Sequence, residues 1–254
     1  MTDFSAFSLA GKRIVVTGAN TGIGQGIAVA ITKAGGGVIG VGRSAMDETA
    51  ALVKAGSGMF TPVICDLGDH VAAMAMLDHV WESAGPVDGL VNNAGIIRRA
   101  DSIDFSETDW DDVMDVNLKS VFFLCQAFAK KVLGAGRHGK IVNIASVLSF
   151  QGGIRVPSYT ASKHGVLGIT RLLACEWAAK GINVNAVAPG YVVTNNTAAL
   201  RADEDRSTAI LSRIPAGRWG EPSDIGGAAV FLLAPASDYV HGAVIPVDGG
   251  WLAR

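Results

Sequence analysis

Charge is scarce in this chain of 254 residues. Asp, Glu, Lys and Arg make up 17% of it, and 21 basic against 23 acidic side chains leave a formal net charge of −2. With no global field to hold a polyanion, the composition argues against nucleic acid as a partner. Cysteine is scarce too: Cys65, Cys125 and Cys175 are odd in number and far apart. They suit neither a disulfide framework nor zinc-ligand spacing and read as buried, reduced packing residues. His70, His79, His138, His164 and His241 show no ligand spacing among themselves, so no metal is expected. No apolar run approaches the ~18 residues that span a bilayer. Met1 to Gly11, with Asp3, lacks the basic-then-apolar pattern of a secretory leader, so a cytoplasmic protein with no membrane contact is expected. Linkers rich in Pro, Gly or Ser, low-complexity tracts and internal repeats are all missing, and residues 1–254 are expected to form one domain.

What is abundant is apolar material, 49% of the residues, enough for a large core. Short apolar runs alternate with segments of helical period. Arg13 to Thr17 is followed by a helical segment from Ile23 to Ala34 and a second run from Val38 to Val41. Further candidate strands are Met59 to Cys65, Gly89 to Asn92, Lys140 to Ala145, Asn183 to Ala188 and Ala243 to Val247. Strict alternation predicts an α/β fold, a doubly wound parallel sheet of Rossmann type with helices on both faces, because each crossover must return to the same end of the sheet. Continuous apolar strands such as Gly89 to Asn92 fit burial on both faces. Between Tyr191 and Pro222 the alternation fails, at Asn195-Asn196 and at the charge run from Arg201 to Arg206. That stretch, about 191–222, reads as a helical flap over a site, or equally as a solvated helix face.

The first strand leads into Thr17-Gly18-Ala19-Asn20-Thr21-Gly22-Ile23-Gly24, which opens a helix. Glycines there let the backbone turn and approach a pyrophosphate seated on the helix N-terminus. The spacing is Gly-x3-Gly-x-Gly rather than the commoner Gly-x-Gly-x2-Gly. Further on, Tyr159 and Lys163 stand four residues apart in a segment predicted helical from about Ser158 to Ala179, which puts them on one face. A neighbouring ammonium favours a phenolate, so the pair can serve as an acid/base unit.

These motifs, with Asn92-Asn93-Ala94-Gly95, Asp66 after the third strand, Asn117, Ser146, Pro189-Gly190 and Asp248-Gly249-Gly250, resemble the short-chain dehydrogenase/reductase family along essentially the whole chain. The resemblance implies about seven strands, an NAD(P)-dependent oxidoreductase acting on a carbonyl or secondary alcohol, and a homotetramer with twofold axes. It implies that Tyr159 donates or removes the proton, that Ser146 hydrogen-bonds the same oxygen, and that Lys163 binds the nicotinamide ribose. Asn117 would hold a water linking Lys163 to solvent. Asp66 and Leu67 would contact the adenine, Asn92 would fix the fourth strand, and Thr194 would meet the nicotinamide amide. Gly18, Asn20, Thr21, Gly22, Ile23, Gly24, Arg43, Asn93, Ala94, Gly95, Tyr159, Lys163, Pro189, Gly190 and Val192 complete the expected cofactor contacts.

The second strand ends in Val41-Gly42-Arg43, without the carboxylate that would bind ribose hydroxyls, and Arg43 can pair with a 2′-phosphate. This leans to NADP(H); if Arg43 only stacks on the adenine, NAD stays open. For the substrate, Arg98 and Arg99 follow the fourth strand, and Gln151 and Arg155 lie between Ser146 and Tyr159. Arginine forks suit carboxylates and glutamine suits hydroxyls, so these residues with Ser146 and Tyr159 point to a small sugar acid. Arg98, Arg99 and Arg155 could also form ordinary surface ion pairs. Other ketone reductases of the family, such as 3-oxoacyl reductases, are alternatives. A dinucleotide sensor without catalysis would not need Asn117, Ser146, Tyr159 and Lys163 together.

Overall fold

The computed structural model describes residues 5–254, so Asp3 and the expectation resting on it lie outside the described residues. Seven strands occur among them: β1 Arg13–Thr17, β2 Gly37–Gly42, β3 Met59–Ile64, β4 Gly89–Asn92, β5 Gly139–Ile144, β6 Ile182–Pro189 and β7 Val244–Val247. They form one sheet in the order β3-β2-β1-β4-β5-β6-β7, with every neighbouring pair parallel. The α-helices are α1 Gly22–Lys33, α2 Asp47–Ala55, α3 His70–Ala84, α4 Glu107–Met114, α5 Ser120–Gly134, α6 Pro157–Trp177, α7 Ala198–Ala202, α8 Glu204–Leu211 and α9 Pro222–Leu233. The architecture is the Rossmann-type sheet expected from the alternation, and the predicted strands fall within a residue or so of the observed ones.

Strand periodicity builds two cores. Ile14 and Val16 of β1 pack with Ile27 and Ile31 of α1 and with Ile225 and Leu232 of α9. Val15, pointing the other way, joins Leu77 of α3, Leu124 and Phe128 of α5 and Leu173 of α6. Both sides of β1 are therefore dry, which is why its apolar run is continuous rather than alternating. Pro62 sits in β3, an edge strand, where a missing ladder donor is tolerated.

Helices α3 and α4 are started locally by side-chain caps. The Asp69 carboxylate accepts from the Val71 and Ala72 N–H groups at 2.9 and 3.1 Å, and the Ser106 hydroxyl accepts from the Asp109 N–H at 3.1 Å. Helix α6 begins on Pro157, whose missing N–H costs nothing at that position.

Two features place the site. Strand β1 pairs with both β2 and β4, so the chain leaves in one direction and returns in the other, opening a crevice at the carboxyl ends of β1 and β4. After β6 the chain forms the flap containing α7 and α8. Its two ends are tied together by Val193 N–H to Gly220 O at 2.8 Å and Gly220 N–H to Tyr191 O at 2.9 Å.

Candidate active site

The crevice holds a cavity of about 650 Å³. Helix α1 opens onto it without a side-chain cap: Thr21 makes no capping hydrogen bond, and Gly22 and Ile23 line the wall. Its free first-turn N–H groups form a receptor for an anion such as a pyrophosphate. The backbone cradle admits nothing larger than glycine. A Cβ on Gly24 would come 2.1 Å from the Gly18 carbonyl oxygen, and one on Gly18, where φ is +66°, would come 2.9 Å from Ala94 Cα. Gly24 thus shapes the cradle from behind, while Gly18, Asn20 and Thr21 line it. The residues present therefore fit a dinucleotide.

Asn93 closes the crevice. Its N–H donates to Thr17 Oγ1 at 2.9 Å and its side-chain amide to Thr17 O, also at 2.9 Å, while Ala94 N–H donates to the same hydroxyl at 3.0 Å. Asn92 lies one layer deeper, donating to Asn143 Oδ1 at 2.9 Å and to Cys125 Sγ at 3.2 Å. It stiffens β4 and does not line the cavity. Asp66 and Leu67 line one end, with Arg43 and Ser44 beside them. Asn20 Nδ2 donates to Ser44 Oγ at 3.1 Å. Asp66 is the one acidic side chain lining this cavity among the described residues. Toward the other end stand Gly95, Pro189, Gly190, Val192 and Thr194, with Tyr159, Lys163 and Ser146 behind them.

Tyr159 and Lys163 occupy one face of α6, the Lys163 Nζ 5.6 Å from the centre of the Tyr159 ring. Lys163 Nζ donates to Ile144 O at 2.6 Å, and burial lowers its pKa to about 8. The Tyr159 phenol differs from the expectation that Lys163 depresses it. Burial raises it above its ordinary value, and the opposing influences are the hydrogen-bonded Ser146 hydroxyl and the Arg99 guanidinium. A low-dielectric setting penalises charge on phenol and ammonium alike.

Asn117 lies in one turn of π-helix, Asp115–Lys119, between α4 and α5. Its side chain brackets Ile96, donating to Ile96 O at 2.9 Å and accepting from Ile96 N–H at 2.8 Å, with Ser162 Oγ at 3.4 Å. It lines neither cavity. It holds the chain after β4 against the base of α6.

A second cavity, about 270 Å³, shares Ser146 and Tyr159 with the first and lies under the flap. Gln151 and Arg99, two of the residues expected near a substrate, line it. Arg99 Nη2 donates to Asn196 O at 2.8 Å, tying the chain after β4 to the start of the flap. Arg98 and Arg155 do not line it. Arg98 is drawn to Asp109 and Asp112 at 3.2 and 3.1 Å, and Arg155, at a φ of +63°, pairs with Asp101 at 3.1 Å. Both are solvent-exposed ion pairs, the alternative that applies whenever a carboxylate is nearer than the site. In their place the flap supplies Arg206 and Arg213, which sequence reasoning did not single out. The available signal was the pair of charged segments in the stretch that breaks the strand–helix alternation.

Comparison with known proteins agrees with this geometry. The family profile described as enoyl-(acyl carrier protein) reductase matches residues 18–252. A 2-dehydro-3-deoxy-D-gluconate 5-dehydrogenase of Escherichia coli K12 is 59% identical over 250 residues, 98% of this chain and 99% of the relative. The protein of the same name from Dickeya dadantii is 57% identical with the same coverage. A solved structure from Agrobacterium tumefaciens with bound NADP, described provisionally as a 2-deoxy-D-gluconate 3-dehydrogenase, is 63% identical. It superposes with a TM-score of 0.94 over 98% of this chain and 99% of the other.

Proposed function

The chain belongs to the short-chain dehydrogenase/reductase family and is an NAD(P)-dependent oxidoreductase acting on CH–OH groups, and from that premise we propose that it interconverts a secondary alcohol and a ketone on a small sugar acid. The substrate of this reading is 2-dehydro-3-deoxy-D-gluconate or 2-deoxy-D-gluconate. The wall of the 270 Å³ cavity carries the reading. Three arginines, Gln151 and Asn196 surround a space that reaches Ser146 and Tyr159, and no acidic side chain lines it among the described residues. Such a wall selects an anion with hydroxyls over a neutral or apolar ketone. Gluconate 5-dehydrogenation is the second reading, favoured by Gly42 and Arg43 if NADP is the cofactor.

Bound NAD(P) supplies the hydride acceptor or donor. In oxidation Tyr159 takes the proton of the substrate hydroxyl, and in reduction it returns that proton to the carbonyl oxygen. Ser146 hydrogen-bonds the same oxygen. Lys163 holds the nicotinamide ribose, and Asn117 is assigned the relay between Lys163 and solvent. NADP(H) is the preferred cofactor, supported by Arg43 and Ser44 at the cavity rim. The enzyme works in the cytoplasm as a homotetramer with twofold axes. Trp110 on α4 and Leu172 on α6 support the assembly, since each leaves a large apolar side chain 40% and 50% exposed. No helix among the described residues is long and apolar enough to cross a membrane.

A spectrophotometric screen tests the reading. 2-Dehydro-3-deoxy-D-gluconate, 2-deoxy-D-gluconate and D-gluconate are each offered with NAD and with NADP, beside the corresponding C1 amides. The expected result is a kcat/KM well above that of the amide for at least one acid, and higher with NADP than with NAD. Equal turnover of acids and amides overturns the sugar-acid reading, and a preference for NAD overturns the cofactor assignment.

A further inference from the structure

Three guanidinium groups line the second cavity, and they fall into two sets. Arg99 is committed to the Asn196 carbonyl and faces Tyr159, whose phenol it draws down against burial. Arg206, on α8, and Arg213, two residues beyond that helix, face Tyr191 instead, and both oppose the burial that raises its phenol. The Arg213 guanidinium lies 4.0 Å above the ring of buried Trp251, which in turn packs against Tyr191 with ring centres 4.6 Å apart. The indole holds the guanidinium beside the cavity without drawing on a carboxylate partner.

Neither Arg206 nor Arg213 has a side-chain hydrogen bond or a carboxylate partner among the described residues. Arg98, Arg155 and Arg218 outside the cavity all do. Both are solvent-exposed, and their convergence on one end of a cavity without acids makes that end a receptor for an anion.

The other end is unsuited to one. A carboxylate beside Arg99 would also lie beside Tyr159, where a like charge makes the phenolate harder to form. Arg99 is better placed to favour the ionised tyrosine than to spend its charge on the substrate. Building on the sugar-acid reading, we infer that Arg206 and Arg213 of the flap hold the substrate carboxylate at the Tyr191–Trp251 end of the cavity. The carbon that exchanges hydride then lies at the opposite end, several bonds from the carboxylate. The chain oxidises or reduces the distal part of the sugar acid, not the carbon next to its acid group.

The test compares an acid with its C1 amide, using 2-dehydro-3-deoxy-D-gluconate and D-gluconate with their amides at saturating NADP(H). Proteins are the unmutated enzyme, Arg206→Met, Arg213→Met, the double variant and Arg99→Met. Each single flap variant is expected to raise KM for the acid about tenfold or more, the loss of one charge-assisted hydrogen bond. In the double variant the preference for acid over amide in kcat/KM falls to near unity. Arg99→Met acts mainly on kcat and, for oxidation, which needs the ionised phenol, shifts the acidic limb of its pH profile upward. Arg206→Lys with Arg213→Lys, which keeps the charge, restores part of the discrimination and guards against a misfolded double variant. If the unmutated enzyme prefers acid over amide and the double Met variant keeps that preference, the flap assignment is overturned while the sugar-acid reading stands. If the unmutated enzyme shows no preference, the sugar-acid reading falls and takes the assignment with it.

Discussion

Tyr159 and Lys163 stand one helical turn apart where charge on either is disfavoured, the phenol raised and the ammonium lowered to about 8. Deleting only the phenolic oxygen in Tyr159→Phe is expected to cut kcat by about 10²- to 10⁴-fold while NADP(H) still binds. Steady-state rates beside a nucleotide fluorescence titration decide it, and survival of more than about a tenth of the activity contradicts the assignment. For Lys163 the consequence is thermodynamic. Folded, it releases its proton near 8; unfolded, near the ordinary 10.5. Between those values the unfolded chain binds more protons, so stability rises with pH across that window. Below about 8 both states are protonated and the burial penalty is felt in full. Urea unfolding from about pH 7 to about pH 10 should show the native protein gaining on Lys163→Met, and a constant difference contradicts the shift. Spacing and strand ends are local properties, so the sequence exposes Tyr159, Lys163 and Ser146. The direction of the phenol's shift is not legible there, because it depends on burial and on Lys163 Nζ turning to the Ile144 carbonyl.

Helices α1 and α9 meet through small residues. A Cβ on Gly226 would come 2.5 Å from Ala30 Cβ, and one on Gly26 would come 2.5 Å from the Pro222 carbonyl oxygen, whereas Gly227 faces open space. One substitution therefore has opposite signs at neighbouring positions. Gly226→Ala must push the helices apart and is expected to cost about 1–3 kcal/mol. Gly227→Ala restricts only the unfolded backbone and is expected to stabilise by about 0.5–1 kcal/mol. Thermal and urea unfolding check the pair, and losses of equal size at both would contradict the packing described. The sheet strands are readable from sequence because burial on both faces demands uninterrupted apolar runs. The flap is only half readable. Arg201 to Arg206 suits a solvated helix equally well, and it is the pairing of Tyr191 and Val193 with Gly220 that carries Arg206 and Arg213 over the cavity. Arg98 and Arg155 mislead for the same reason, since Asp109, Asp112 and Asp101 become their neighbours only on folding.

At the scale of the molecule, the proposed homotetramer should scatter light as four times 26.2 kDa at micromolar concentration, and a monomer mass would dismiss it. One sheet with a core on each face should unfold as a single unit, so fluorescence and far-UV signals are expected to share a midpoint.

Cys125 offers an independent view of that transition. It lies on α5, wedged between the amides of Asn92 and Asn143, with its thiol pushed up to about 12 by burial, whereas Cys175, contrary to the expectation of burial, is exposed on α6. Only a thiolate alkylates readily, so Cys175 takes up a thiol reagent while Cys125 stays blank. Cys125 reacts when α5 parts from β4 and β5. The chain thus carries a chemical clock, in which the delay before a label appears on the Cys125 peptide reads the lifetime of the native centre.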